Sequence, residues 1–278
     1  MLNSGLYLVA TPIGNINDIS MRAIETLQNA DIIACEDTRV TKKLFNLLNI
    51  KTDKHFISYQ DYSEEEKSQP VIDMINQGKS VALVSDAGSP LISDPGYKLA
   101  RKCREQGIKV HSIPGACAVI CALQLSGLPT NRFMFAGFIP NKDKAKTDLF
   151  NELKNINTTL VFYETAQRLC KTLKTMSEVF CNREIAVARE ITKIYEDCQR
   201  GNAQELLEHY TNTPPKGEIV MMVEPPLEKS IADIDIEAEL KVLLNKMSLK
   251  SAVKEVSLNS GVSKNDVYSI ALRLKNEQ

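Results

Sequence analysis

Residues 85–97 read SDAGSPLISDPGY and follow the apolar run Val81-Ala82-Leu83-Val84. That run has the length and branched side chains of a buried strand. The thirteen residues after it hold two glycines, two prolines, two aspartates and three serines. From Tyr97 to Gln106 the chain reads as a helix that stops at Gly107. A strand, a broken loop and a helix in that order are the repeating unit of a parallel α/β sheet. Ligands of such sheets sit outside the carboxyl ends of the strands. The loop is therefore a candidate binding segment.

Working outward, the same unit recurs. Residues 6–10 (LYLVA) predict a strand before TPIGN, and Asp18 a cap for a helix running to about Asn29. Residues 31–35 (DIIAC) predict a strand before EDTR and a helix near 40–48. A third strand is expected at 56–58, then a helix capped by Ser63 and stopped by Gly78. Residues 109–113 predict a strand before PGACA, with Pro114 and Gly115 opening a helix of small residues. Four irregular segments thus fall at strand ends: TPIGN, EDTR, SDAGSPLISDPG and PGACA. Glycine and proline prevent regular pairing there and leave backbone N–H and C=O groups facing a crevice.

The pattern resets at Gly127-Leu128-Pro129-Thr130. Strands are expected at 133–138, 158–164, 184–190 and 217–224, a strand and turn within 193–201, and helices at 142–155, 166–180 and 203–210. Two consecutive strands predict a mixed sheet in this second lobe. EPPLEKS reads as a Pro-rich linker. Residues 231–278 read as helix, turn at 259–261, cap at Ser263 and helix, a helix-turn-helix-like spacing. It suits a packing bundle or a contact with nucleic acid. The expected domains are 1–127, 128–226 and 231–278.

The 278 residues are 43% hydrophobic and 25% charged, with net charge −1, so bulk charge selects no nucleic-acid partner. Seven cysteines, an odd number without CxxC spacing, predict reduced thiols and a cytosolic compartment. The three histidines are scattered, so no metal site is expected. MLNSGLYLVA is a poor signal peptide, and no apolar run approaches the ~20 residues of a membrane span. A soluble, cytoplasmic protein is expected.

The fingerprints GxGxxG and GxxxxGK[ST] are absent. The 85–97 loop also lacks a lysine to neutralise a triphosphate. It suits a ligand with little negative charge, such as an adenosine carrying a zwitterionic tail. In the second lobe Glu164, Arg168, Arg189, Glu190, Lys193, Lys216 and Glu218 follow apolar runs and are expected to face the crevice. Lys142 opens a basic tract, 142–146, suited to phosphate.

TPIGNINDIS, ACEDTR, SDAGSPLISDPGY, PGACA, FAGFIP, FYET, AREITK and KGE occur in the order found in a known family. From about residue 5 to 225 the chain resembles the ribosomal RNA small subunit methyltransferase I family. That family is a branch of the tetrapyrrole-methylase-like superfamily of S-adenosylmethionine (SAM) methyltransferases. The resemblance implies two α/β lobes of the tetrapyrrole methylase type with a small helical C-terminal extension. It implies SAM in the cleft, a homodimer, and 2′-O-methylation of a cytidine ribose in the decoding region of 16S rRNA, within the small ribosomal subunit. By matching position it implies cofactor contacts from Pro12, Gly88, Ser89, Pro90, Ile92, Cys117 and Ala118. Phe162, Tyr163, Ala188 and Gly217 would add contacts from the second lobe. Glu36 and Asp37 are expected to face Glu190 and Lys193 across the reacting ribose as candidate catalytic groups. Arg39, Lys142, Arg168 and Arg189 are expected to bind substrate.

The sequence departs from the family at Gln60, Tyr62 and Gln167, where histidine is usual, and at Cys117, where serine is usual. Gln60, Tyr62 and Gln167 form hydrogen bonds but take up no proton near neutral pH. A tetrapyrrole (corrinoid precursor) methyltransferase and a non-catalytic RNA-binding relative are the alternative readings.

Overall fold

The computed structural model describes residues 2–60, 64–226, 236–260 and 262–276. Tyr62, the Ser63 cap, the linker after Pro226 and Gly261 of the tail turn lie outside the described residues. The chain forms two compact units, Met1–Pro226 and Leu227–Gln278.

The larger unit holds two five-stranded sheets. The first contains β1 (Gly5–Val9), β2 (Ile32–Cys35), β3 (His55–Ser58), β4 (Ser80–Val84) and β5 (Val110–Ile113), in the order β3-β2-β4-β1-β5. Every pairing in it is parallel. β4 shows why: Val81 and Leu83 enter one core cluster, while Ala82 and Val84 enter another on the opposite face. A strand buried on both faces needs no alternation of polar residues. Each buried Val or Leu contributes about 1.5–3 kcal/mol.

Four helices of this lobe are α1 (Met21–Asn29), α2 (Thr38–Leu47), α3 (Glu64–Asn76) and α4 (Tyr97–Glu105). The expected cap at Asp18 is corrected. Residues Ile16–Asp18 form a separate 3-10 turn, and Ser20 caps α1 by accepting the Ala23 N–H at 3.1 Å. The fifth helix, α5, is Ala118–Ser126. Pro114 and Gly115 therefore precede it, and Cys117 is its N-cap residue.

The second sheet contains β6 (Phe133–Phe138), β7 (Thr159–Thr165), β8 (Ile185–Arg189), β9 (Asp197–Gly201) and β10 (Glu218–Val223), in the order β6-β7-β10-β8-β9. Only β6 and β7 run parallel; the other pairings are antiparallel, a mixed sheet. Its helices are α6 (Asp143–Leu153), α7 (Leu169–Val179) and α8 (Ala203–Asn212). One sheet face packs Phe162, Ile219 and Met221 under these helices. The other packs Val161, Ala188, Val220 and Met222 against Val119, Ala122 and Leu123 of α5. Helix α5 follows the last strand of the first sheet yet covers the second.

The smaller unit is formed by α9 (Ile236–Leu244), α10 (Leu249–Ser260) and α11 (Lys264–Asn276) around Leu240, Ala252, Val256, Val267 and Ala271. Ser263 caps α11 by accepting the Asp266 N–H at 3.2 Å.

The 85–97 loop is closed by Gly96, which precedes α4 with φ +124°. A Cβ there would lie 2.5 Å from Leu83 Cδ2 and 2.9 Å from Leu91 Cδ1. Both the backbone conformation and the packing exclude a side chain. Gly96→Ala is expected to lower stability by about 2–4 kcal/mol, from backbone strain plus overpacking. Urea unfolding with an unchanged m-value checks this.

Candidate active site

Strand order dictates which loops become neighbours. At the carboxyl edge of the first sheet the order β2-β4-β1-β5 brings EDTR, SDAG, TPIGN and PGACA side by side. Hydrogen bonds and close packing join them in that sequence. The Asp37 N–H donates to Asp86 Oδ1 at 3.1 Å. Thr11 and Gly88 exchange backbone bonds, Thr11 N–H to Gly88 O at 2.8 Å and Gly88 N–H to Thr11 O at 3.1 Å. Gly88 adopts φ +80°, open to glycine at little cost. Gly115 lies against Ala10, where a Cβ would approach Ala10 Cβ to 3.0 Å.

These loops and the second sheet enclose a cavity of about 400 Å³. From the first lobe it is lined by Ile13, Asp86, Gly88, Ser89, Ile92 and Asp94, and by Cys117 and Ala118 at the start of α5. No side chain caps the first N–H groups of α5. The second lobe supplies Phe138, Tyr163, Thr165, Gly217 and Val220, together with Glu164, Ile191 and Glu218. Tyr163 stacks edgewise on Phe135 and Phe138, and burial pushes its phenol pKa up. Among the described residues that line the cavity none is lysine or arginine, while four are acidic.

Four residues expected at the cofactor stand behind the lining. Phe162 is fully buried and packs edgewise on Phe150, because alternation along β7 turns it away from Tyr163. Ala188 is fully buried under α5. Pro90 is buried in its loop, and Pro12 sits between Thr11, paired with Gly88, and the lining residue Ile13. Asp86, Asp94 and Phe138 line the cavity and were not selected from the sequence. The aspartates stood inside the quoted loop. Only the strand order, which sets Asp86 against Asp37, distinguishes the first of them.

Asp37 caps α2 and grips Arg39, whose Nη2 lies 2.7 Å from Oδ2. Those hydrogen bonds hold the Asp37 carboxyl at about 2. Arg39 itself projects into solvent. Glu36 is half-buried at the end of β2, and its carbonyl accepts the Ser58 hydroxyl at 3.5 Å. Across the cavity Glu190 accepts Lys193 Nζ at 3.0 Å, which lowers its pKa. Lys193 also donates to Glu218 Oε2 at 3.1 Å. Burial works against the Lys193 charge, but its two carboxylate partners raise its pKa overall. Asp37 thus meets the cavity through Asp86, and Glu190 meets it through Gly217 and Glu218.

The expected substrate cations are differently placed. Lys142 is exposed ahead of α6, but Lys146 of the same tract is buried, with Nζ 3.5 Å from Asp143. Arg168 lies 3.1 Å from the buried Glu164 and also donates to the Ile139 carbonyl. Arg189 pairs with Asp197 at 3.3 Å, across β8 and β9. Gln167 is exposed in the turn after β7, and Gln60 is half-buried.

A cavity held by loops at the carboxyl edge of one parallel sheet, and roofed by a second mixed sheet, defines the tetrapyrrole methylase class of methyltransferases. The family Tetrapyrrole (Corrin/Porphyrin) Methylases matches residues 5–207, and the RsmI C-terminal HTH domain matches residues 230–275. A solved diphthine synthase superposes with TM-score 0.62 at 16% identity, covering 79% of this chain and 89% of its own. A cobalt precorrin-4 methyltransferase superposes with TM-score 0.57 at 17% identity, over 79% and 94%. Curated relatives are much closer in sequence. Ribosomal RNA small subunit methyltransferase I of Erythrobacter litoralis is 50% identical over 99% of this chain and 96% of its own. The protein of that name from Rickettsia prowazekii is 43% identical over 99% of both chains. The chain belongs to the ribosomal RNA small subunit methyltransferase I family.

Gly217 has φ +85°, and a Cβ there would fall 1.9 Å from Glu190 Oε1. Gly217→Ala is expected to cost about 1–3 kcal/mol by expelling the Glu190 carboxylate. In a Glu190→Ala background the same change is expected to cost clearly less. A double-mutant cycle by chemical denaturation reads the difference.

Proposed function

We propose that this chain transfers a methyl group from SAM to the 2′-oxygen of a cytidine ribose in the decoding region of 16S rRNA. The observation that carries the reading is the cavity, whose lining is apolar and acidic and holds no cation among the described residues. SAM carries a sulfonium and an ammonium against one carboxylate, so its net charge fits acidic walls. The uncapped start of α5 suits the carboxylate. A polyphosphate would meet acidic walls with no cation among the described lining residues to neutralise it. The names of the full-length relatives support ribosomal RNA of the small subunit as acceptor.

SAM supplies an electrophilic methyl carbon. The chain's part is to hold the ribose hydroxyl in line with that carbon and to exclude water, and alignment of this kind supplies much of a rate. Arg39, at the rim and exposed, is suited to a backbone phosphate. A homodimer is part of the proposal, supported by the exposed Phe133 and Met134 on the edge strand β6. Among the described residues no helix is long and apolar enough to cross a membrane.

The test is incubation of purified protein with radiolabelled SAM and either undermethylated 30S subunits or a porphyrinoid. Label is expected in 16S rRNA as a single 2′-O-methylcytidine, mapped by nuclease digestion and mass spectrometry. Label in the porphyrinoid instead would establish the tetrapyrrole reading. SAM binding without transfer to either would establish a non-catalytic relative.

A further inference from the structure

Transfer to a ribose hydroxyl requires a proton acceptor, and four carboxylates line the cavity: Asp86, Asp94, Glu164 and Glu218. Two are committed elsewhere. Glu164 has a fully buried side chain, accepts Thr165 N–H at 2.8 Å and Thr172 Oγ1 at 2.6 Å, and pairs with Arg168. It ties β7 to α7 and presents no oxygen to the cavity. Glu218 holds Lys193 at 3.1 Å, with most of its side chain in solvent. Asp94 lies near enough to Tyr163 for its charge to raise that phenol. Asp86 differs from these. Its Oδ1 accepts the Asp37 N–H at 3.1 Å, which orients the carboxylate, and Oδ2 meets no donor among the described residues.

Resting on the reading above, we propose that Asp86 is the catalytic residue that accepts the substrate hydroxyl proton. In the step, the hydroxyl oxygen forms the O–CH₃ bond as the S–CH₃ bond breaks with its pair on sulfur, and the hydroxyl proton passes to Asp86 Oδ2. The carboxylates first expected in this role suit it less. Asp37 is clamped by Arg39 and Glu190 by Lys193, and neither lines the cavity. The groups facing Asp86 are Asp37 and Arg39 from α2 and Cys35 from β2. Asp86 is exposed at the cavity, and partial desolvation with the Asp37 charge pushes its pKa up, against the bond from the Asp37 N–H and the Arg39 charge. That direction favours a base.

The test compares wild type, Asp86→Asn and Asp94→Asn in methyl transfer to 30S subunits between pH 5 and 9. SAM affinity is measured by calorimetry alongside. Wild-type kcat is expected to fall at the acid end along one limb as Asp86 takes up a proton, displaced upward from an ordinary carboxylate. In Asp86→Asn the limb is expected to vanish and kcat to fall about 100-fold, the lower range for a lost general base. SAM affinity is expected to weaken by much less than kcat falls, because the amide keeps the Asp37 bond while the wall loses one charge. A kcat within about threefold of wild type, a loss confined to SAM affinity, or a limb lost only in Asp94→Asn overturns the assignment. Wild type that labels no RNA defeats the proposed activity itself, and the assignment falls with it.

Discussion

The packing of α5 on the second sheet is the contact on which the site depends. The helix begins at the carboxyl end of β5, so its N-terminus stands among the loops of the first lobe. Its body buries Val119, Ala122 and Leu123 against Ala188, Val220 and Met222. The alanines are what this requires, since small side chains let helix and sheet approach closely. One rigid element therefore sets the distance between the two walls of the cavity. The short approach of Gly14 to the loop 191–193 fits the same geometry: a Cβ on Gly14 would lie 2.6 Å from Lys193 Cγ.

Charge is separated with similar economy. Acidic groups line the cavity, and the cations near it are held by carboxylates at the rim, Arg39 by Asp37 and Lys193 by Glu190 and Glu218. A cationic methyl donor and an anionic RNA backbone need opposite surroundings within a few ångströms. Among the described residues, an interior without cations and a rim with them meets both needs. It also explains why a phosphate-binding lysine inside the loop would be out of place.

The parallel sheet, the mixed sheet and the loops at strand ends were legible in the sequence, because buried strands and Gly/Pro breaks are local signals. Tyr163 and Gly217 were reachable through motif resemblance. What was not legible depends on register or on long-range order. Phe162 and Tyr163 are adjacent in sequence, and only the pairing of β7 with β10 decides which faces the core. Ala188 looks like a site residue until α5 is known to cover it. Asp86 acquires its meaning from Asp37, 49 residues away, once β2 and β4 are neighbours. The start of α1 differs for a local reason: Asp18 and Ser20 both have side chains suited to capping, but Asp18 is the last residue of a 3-10 turn capped by Asn15, and Ser20 caps the helix.

Backbone strain is concentrated where the cavity is. Among the described residues six non-glycine positions have positive φ, and four of them, Leu91, Ser93, Glu190 and Thr192, lie in the two segments that face each other across it. Such conformations cost on the order of 1 kcal/mol each and persist only where the surroundings over-determine them. Here the surroundings are identifiable. Gly96 packs against Leu91, the Glu190 N–H donates to the Glu218 carbonyl at 3.2 Å, and Lys193 anchors the Glu190 side chain at 3.0 Å. A crevice strained in this way cannot relax to suit whatever enters it. That rigidity matches a reaction in which the protein contributes alignment and one proton acceptor, and the transferred group arrives already activated.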